Sequence, residues 1–241
     1  MEYGLQMYSV RDITDKDLDG ALKKVAEIGY KFVEFAGFFG HSAQEVKDML
    51  DKYGLRVSGT HTGWNEVADH FEETVAYHKT IGNKNIIVPG ADLSSQEKID
   101  AFIKMANEFQ PKLKAEGIEF HYHNHAHEFK PNEDGSMIYP QLVEKTNLGL
   151  EIDTYWAYVG GQDPIEMMER LKDRVHVVHL KDGTKDGEGT HLGKGTAPVK
   201  AVIAKATEMG IPMVVESESL TPDGVSEVTA CFEYQIGRAH V

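Results

Sequence analysis

Cysteine is nearly absent: Cys231 stands alone among 241 residues. A lone cysteine excludes an internal disulfide and any CxxC zinc knuckle. Long hydrophobic runs are also missing. No stretch approaches the roughly 18 apolar residues of a membrane span, and the start "MEYGLQMYSVRD" has neither the basic flank nor the apolar segment of a signal peptide. No membrane association is expected, and the expected location is cytoplasmic. Basic residues are scarce, with 25 Lys and Arg against 39 Asp and Glu, a net charge of −14. Binding a phosphate backbone needs a basic footprint, so nucleic acid is not expected as a partner. A small anionic substrate would need only one local basic pocket. No GxGxxG follows the first apolar run, which argues against a dinucleotide site.

What the chain has is an ordinary globular composition, 41% hydrophobic and 27% charged, and enough length for one large core. Short β-branched runs alternate with helical patterns throughout. The runs are "YGLQMYSV" (3–10), "KFVEFAG" (31–37), "RVSGTH" (56–61), "NIIVPG" (85–90), "IEFHYH" (118–123), "LGLEID" (148–153), "VHVVHL" (175–180) and "PMVVES" (212–217). Between them, stretches such as "DKDLDGALKKVAEIG" and "SAQEVKDMLDKYG" are apolar at helical spacing and end in glycine. The segments "SSQEKIDAF" and "DPIEMMERL" open with good caps. Eight strand–helix units in a chain of this length predict an α/β fold, a (β/α)8 TIM barrel formed by one domain over residues 1–235. The end "IGRAHV" (236–241) matches one reading frame of a common sequencing-adapter oligonucleotide. We read it as a non-native tail and leave His240 out of the argument.

Active sites of such barrels form at the C-terminal strand ends. Read in order, the last four ends carry His123, Asp153, His179 and Glu216. Alternation turns them inward, because Ile118, Phe120 and Tyr122, then Leu148, Leu150 and Ile152, then Met213 and Val215 take the outer faces. Two carboxylates and two imidazoles form a set that suits one divalent transition metal, Mn, Zn or Co ahead of Mg, and not Ca. Taken singly, a strand-end Asp is more often a helix cap and a His more often structural. The case rests on four successive ends. The repeat "HYHNHAHEF" (121–129) offers His121, His123, His125 and His127 at strand spacing.

Other polar groups gather nearby. His61 ends the third strand. Lys181 is inward by the parity of His179, either in a salt bridge at the barrel mouth or in the chemistry. Glu151, two residues below Asp153, is expected to pair with a basic group in the barrel interior. Trp156 can wall a sugar site or pack in the core. The stretch "KDGTKDGEGTHLGKGT" (181–196) reads as a mobile loop whose His191 or Lys194 contacts substrate, or as a solvated loop.

"YHNHAHEF", "LGLEIDTYWAYVGGQDPIEMMERL", "VHVVHLKD" and "MVVESE" resemble the sugar phosphate isomerase/epimerase family with its xylose isomerase-like TIM barrel, across nearly the whole chain and in the family's order. The resemblance implies a metal-dependent isomerase or epimerase of a small sugar or keto-sugar, a small-molecule sugar as partner, and room for a homo-oligomer. In the family's ketose epimerases, Glu, Asp, His and Glu on the last four strands hold the metal. Asp153, His179 and Glu216 match the last three. Where the first Glu stands, this chain has His, with His123 as first choice and His121 as second. His125 would then face substrate from the rim, alongside His61 and Trp156, and His127 would lie in the loop. The departure removes one of two carboxylate bases, leaving Glu216 as the catalytic base and Lys181 as its helper. A second acid/base would come from His125, Lys181, Glu151 or a metal-bound water. An inosose-dehydratase-like lyase is the alternative activity, and a non-catalytic sugar-binding barrel the alternative class.

Overall fold

The computed structural model of the chain describes residues 2–237. Eight strands, β1 (Gly4–Gln6), β2 (Phe32–Phe35), β3 (Arg56–His61), β4 (Asn85–Val88), β5 (Glu119–His123), β6 (Gly149–Asp153), β7 (Val175–Leu180) and β8 (Met213–Val215), follow one another around a closed barrel. All pairings are parallel, and β8 returns to β1 through Gly4 opposite Val214. The eight-unit barrel read from the alternation is the observed fold. No helix among the described residues is long and apolar enough to cross a membrane. Of the segment read as a foreign tail, residues 238–241 lie outside the described residues.

The connecting helices start and stop where local chemistry dictates. Ser42 caps Ala43–Tyr53 in a reciprocal capping box with Glu45, and Gly54 closes that helix in the left-handed conformation. Ser95 caps Gln96–Ala115, and Asp163 caps Pro164–Arg170 with proline at the first turn. The first strand is shorter than the apolar run 3–10 suggested. Gln6 ends it by accepting the Tyr8 N–H at 3.0 Å, and the chain turns into a 3-10 segment, Met7–Val10.

The outer strand faces are apolar and packed on helices. Phe120 and Tyr122 are fully buried, with the Tyr122 ring edge-on to Phe102 at 5.6 Å. The inner faces depart from the usual branched-apolar filling of such barrels. Gln6, Glu34, His121, His123, Glu151, Asp153 and His179 are all buried there. Two register shifts serve this polar interior, one between Val33 and Glu34 and one between Leu150 and Glu151. The extra residue falls in the neighbouring strand each time, Ser58 in β3 and His176 in β7, each three residues before a histidine of the site.

Candidate active site

The site is built in two layers. The upper layer joins His123, Asp153, His179 and Glu216, each buried, with one ligand-type atom from each lying within 4.8 Å of the others. Asp153 ends β6 and caps the helix Thr154–Val159. Its Oδ1 accepts the Trp156 N–H at 2.7 Å, while its buried Oδ2 has no hydrogen-bond partner. Cap and cluster roles thus fall on different oxygens of one carboxylate. Asn124 steadies the segment, accepting the Asp153 N–H and donating to the Asp153 carbonyl. Both ring nitrogens of His123 are buried without hydrogen-bond partners, and its Nε2 lies 3.6 Å from Asp153 Oδ2. His179 Nδ1 sits 3.3 Å from Glu216 Oε2. A buried carboxylate oxygen and imidazole left unsatisfied at one point fit a divalent cation, since protein interiors rarely leave such atoms unpaired.

The lower layer joins Glu34, His61, Glu151 and His179, a second group that could hold a metal ion. His61 Nε2 lies 2.7 Å from Glu151 Oε1 and 3.2 Å from Glu34 Oε1. His179 Nε2 lies 2.7 Å from the same Glu34 oxygen and 3.1 Å from Glu151, and Gln6 donates to Glu34 at 2.7 Å. Two carboxylates and two imidazolium rings neutralise one another here without an ion. Burial opposes charge on His61, but Glu151 and Glu34 outweigh it and push the ring up to about 10. Burial likewise opposes charge on His179, and the same carboxylates hold it well above the ordinary histidine range. His179 Nε2 is tied below and Nδ1 faces the upper layer, so that loss of the Nδ1 proton would free this nitrogen for an ion, the arrangement that orients metal-ligating histidines.

Charge in the upper layer is set by Lys181, which is buried. Its Nζ lies 3.3 Å from Glu216 and 3.8 Å from Asp153, and it also donates to Glu218. Burial opposes its charge, yet Glu216, Asp153 and Glu218 hold it above the ordinary lysine range. Burial would raise Glu216, but Lys181 and His179 hold it well below the carboxylate range. Burial keeps His123 neutral, down at about 3, and the charged His179 adds to that. Glu216 is thus an ionised acceptor, and His123 a neutral imidazole with one ring nitrogen free to coordinate.

Above this layer opens a cavity of about 480 Å³, lined among others by His61, His123, His125, Trp156, Glu216 and Glu218. That volume lies within the ~300–1,000 Å³ of small-molecule sites. Trp156 carries Lys181 over its ring at 4.6 Å and stands 6.1 Å from His125. His61 lines the cavity while its Nε2 is engaged below. His121 lies one layer deeper, 3.1 Å from Asn85 and stacked on His176 at 4.4 Å, away from the upper cluster. His127 is exposed beside the buried Glu128. Glu151 has the basic partners expected of it, His61 and His179. The loop read as mobile is instead tied down: Asp182 accepts the N–H groups of Gly183, Gly193, Gly195 and Ala197. Neither His191 nor Lys194 lines the cavity.

Sequence reasoning missed Glu34, Gln6, Glu218 and Glu128. A signal existed for Glu34, a single carboxylate at the inward position of an otherwise apolar strand, flanked by Val33 and Phe35. None existed for Glu218, which lies in irregular backbone after β8.

A closed parallel barrel with a His/Asp/Glu cluster at the ends of its last four strands defines a class of metal-capable TIM barrels. Residues 22–232 match the family model described as xylose isomerase-like TIM barrel, and the chain belongs to that family. It is 25% identical over 197 residues to an inosose dehydratase of Geobacillus kaustophilus, covering 70% of this chain and 63% of that protein's length. It is 26% identical to a 2-oxo-tetronate isomerase of Haemophilus influenzae, covering 68% of this chain and 75% of the relative. A crystal structure of a sugar phosphate isomerase/epimerase from Parabacteroides distasonis superposes with a TM-score of 0.85 at 26% identity, covering 98% of this chain and 97% of that one.

Proposed function

We propose that the protein is a divalent-metal-dependent isomerase or epimerase of a small sugar or keto-sugar. The observation that carries the reading is the upper cluster: four buried ligand-type side chains from successive strands, two with unsatisfied atoms, on the floor of a small-molecule cavity. His123, Asp153, His179 and Glu216 would hold the ion, with Mn, Zn or Co favoured by the mixed nitrogen and oxygen donors. When bound, the ion supplies Lewis acidity that acidifies the C–H next to a carbonyl. Glu216, ionised beside Lys181, takes that proton on a carboxylate oxygen. Lys181 Nζ, within 4 Å of Glu216 and Asp153, offsets negative charge developing on the substrate oxygen. His61, His125 and Trp156 line the cavity and orient the sugar. The names of the isomerase and epimerase relatives support this reading.

A dehydratase shares the first proton abstraction and is favoured by one feature, the second carboxylate at the rim. Burial raises Glu218 above the ordinary carboxylate range against the pull of Lys181, and its place on the cavity wall would let it exchange a proton with a departing hydroxyl.

Purified protein should bind close to one equivalent of Mn²⁺, Zn²⁺ or Co²⁺, and Asp153→Asn should lose most of it. In D₂O, turnover of a keto-sugar panel should place deuterium on one carbon beside the carbonyl, with product mass otherwise unchanged. Loss of water from the product would select the dehydratase. Metal-loaded Glu216→Gln should abolish exchange, and exchange at the native rate would reassign the base. Affinity for sugars without any exchange would make the chain a binding barrel.

A further inference from the structure

A second cavity, of about 490 Å³, adjoins the first, and His61 forms a wall of both. It lies between the loops that follow β2 and β3, and it is not needed to hold a single reacting ring. Its lining pairs an aromatic wall with acceptors. Phe38 and Tyr77 stand 4.4 Å apart between ring centroids, and Thr62, Glu66, His70 and Glu73 complete it. Carbohydrate rings have apolar C–H faces and hydroxyl edges. Aromatic side chains serve the faces, and carboxylates accept from the hydroxyls.

Two further observations narrow the ligand. None of the described residues lining either cavity is Lys or Arg, and the second cavity is bordered by two carboxylates. In the second cavity a phosphate or carboxylate group would face those two carboxylates and find no lysine or arginine to hold it. The exposed large apolar side chains Tyr8, Phe39 and Trp64 all stand in the segments that directly follow the first three strands. Phe39 and Trp64 each follow a residue of the second cavity, and Tyr8 lines the first. This sector of the mouth is thus apolar, acidic and continuous with the metal-capable floor.

From this continuity we infer that the substrate is a neutral glycoside of two units, with the reacting unit over Glu216 and a second glycosyl unit in the β2–β3 loop cavity. The inference rests on the sugar-enzyme reading and gives it a substrate class.

Calorimetric titration of the metal-loaded protein tests it, with glucose, glucose 6-phosphate, maltose, cellobiose and sucrose as probes. At least one disaccharide should bind about tenfold or more tighter than glucose, and glucose 6-phosphate no tighter than glucose. Tyr77→Ala should erase the disaccharide advantage while glucose affinity holds. Because Tyr77 also bonds the His41 carbonyl, a double Glu66→Ala, Glu73→Ala variant on exposed positions provides an independent arm and should lower the advantage severalfold. Equal affinity for glucose and every disaccharide, tightest binding of glucose 6-phosphate, or an advantage unchanged in both variants would overturn it. The deuterium-exchange test fails separately. Exchange on keto-monosaccharides with no disaccharide advantage removes only this inference, whereas a disaccharide advantage without any exchange keeps the glycoside site and removes the isomerase.

Discussion

At the residue scale, the polar interior was legible at the ends of the last four strands and much less so on the first two. His123, Asp153, His179 and Glu216 stand out in the sequence because apolar residues on either side fix their parity. Gln6 sits in a run that reads locally as plain and buried, and Glu34 carries only the signal of a lone carboxylate among apolar neighbours. Their meaning lies in partners far along the chain: Glu34 meets His179 across 145 positions, and His61 meets Glu151 across 90. No local pattern carries such pairings. The interior also imposes small residues on its neighbours. A Cβ built on Gly149 would lie 1.9 Å from Nδ1 of the buried His121 ring, although nothing in "LGLEID" marks that glycine as constrained. Gly149→Ala should therefore destabilise the fold by roughly 1–3 kcal/mol, the usual cost of overpacking. Thermal unfolding should show the loss, and an unchanged midpoint would mean that His121 has room to move aside.

At the scale of elements, strands and helix starts were readable because their signals are local: β-branched runs, Ser and Asp caps, glycine stops. The loops between them were not. The glycine-rich stretch after β7 looked untethered because composition reports backbone freedom and not the anchor. Asp182, 2% exposed, gathers four backbone N–H groups from a segment that runs to Ala197, and the ladder of Asp182–Gly183 against Gly189–Thr190 closes it. Gly195 belongs to this arrangement, since a Cβ there would lie 2.2 Å from Asp182. Hydrogen bonds to a buried charged acceptor contribute on the order of 1.5–3 kcal/mol each where they are lost unreplaced. Asp182→Ala should speed amide hydrogen exchange across residues 183–197, while any divalent-metal binding measured for the parent protein stays unchanged. Unaltered exchange in that segment would show that the ladder alone holds it.

At the scale of the whole molecule, a net charge of −14 surrounds an interior in which buried positive rings are matched to buried carboxylates. Such a network carries a pH signature in protein stripped of metal. Burial opposes charge on His61, but Glu151 and Glu34 push it from the ordinary 6.5 up to about 10, and the same pair raises His179. Below about pH 6.5 both rings are charged folded or unfolded, and the stabilisation they bring is fully present. Above it the unfolded rings lose their protons while the folded ones keep theirs. Unfolding then releases protons, and rising pH favours the unfolded chain. The stability should fall between about pH 6.5 and 10 by roughly 1.4 kcal/mol per pH unit for His61, with His179 acting in the same direction. Unfolding midpoints of the chelator-treated protein, measured at intervals from pH 6.5 to 9.5, should decline steadily, and His61→Gln should make the decline shallower. Midpoints that stay level over this range would mean that His61 and His179 are not held charged in the metal-free protein.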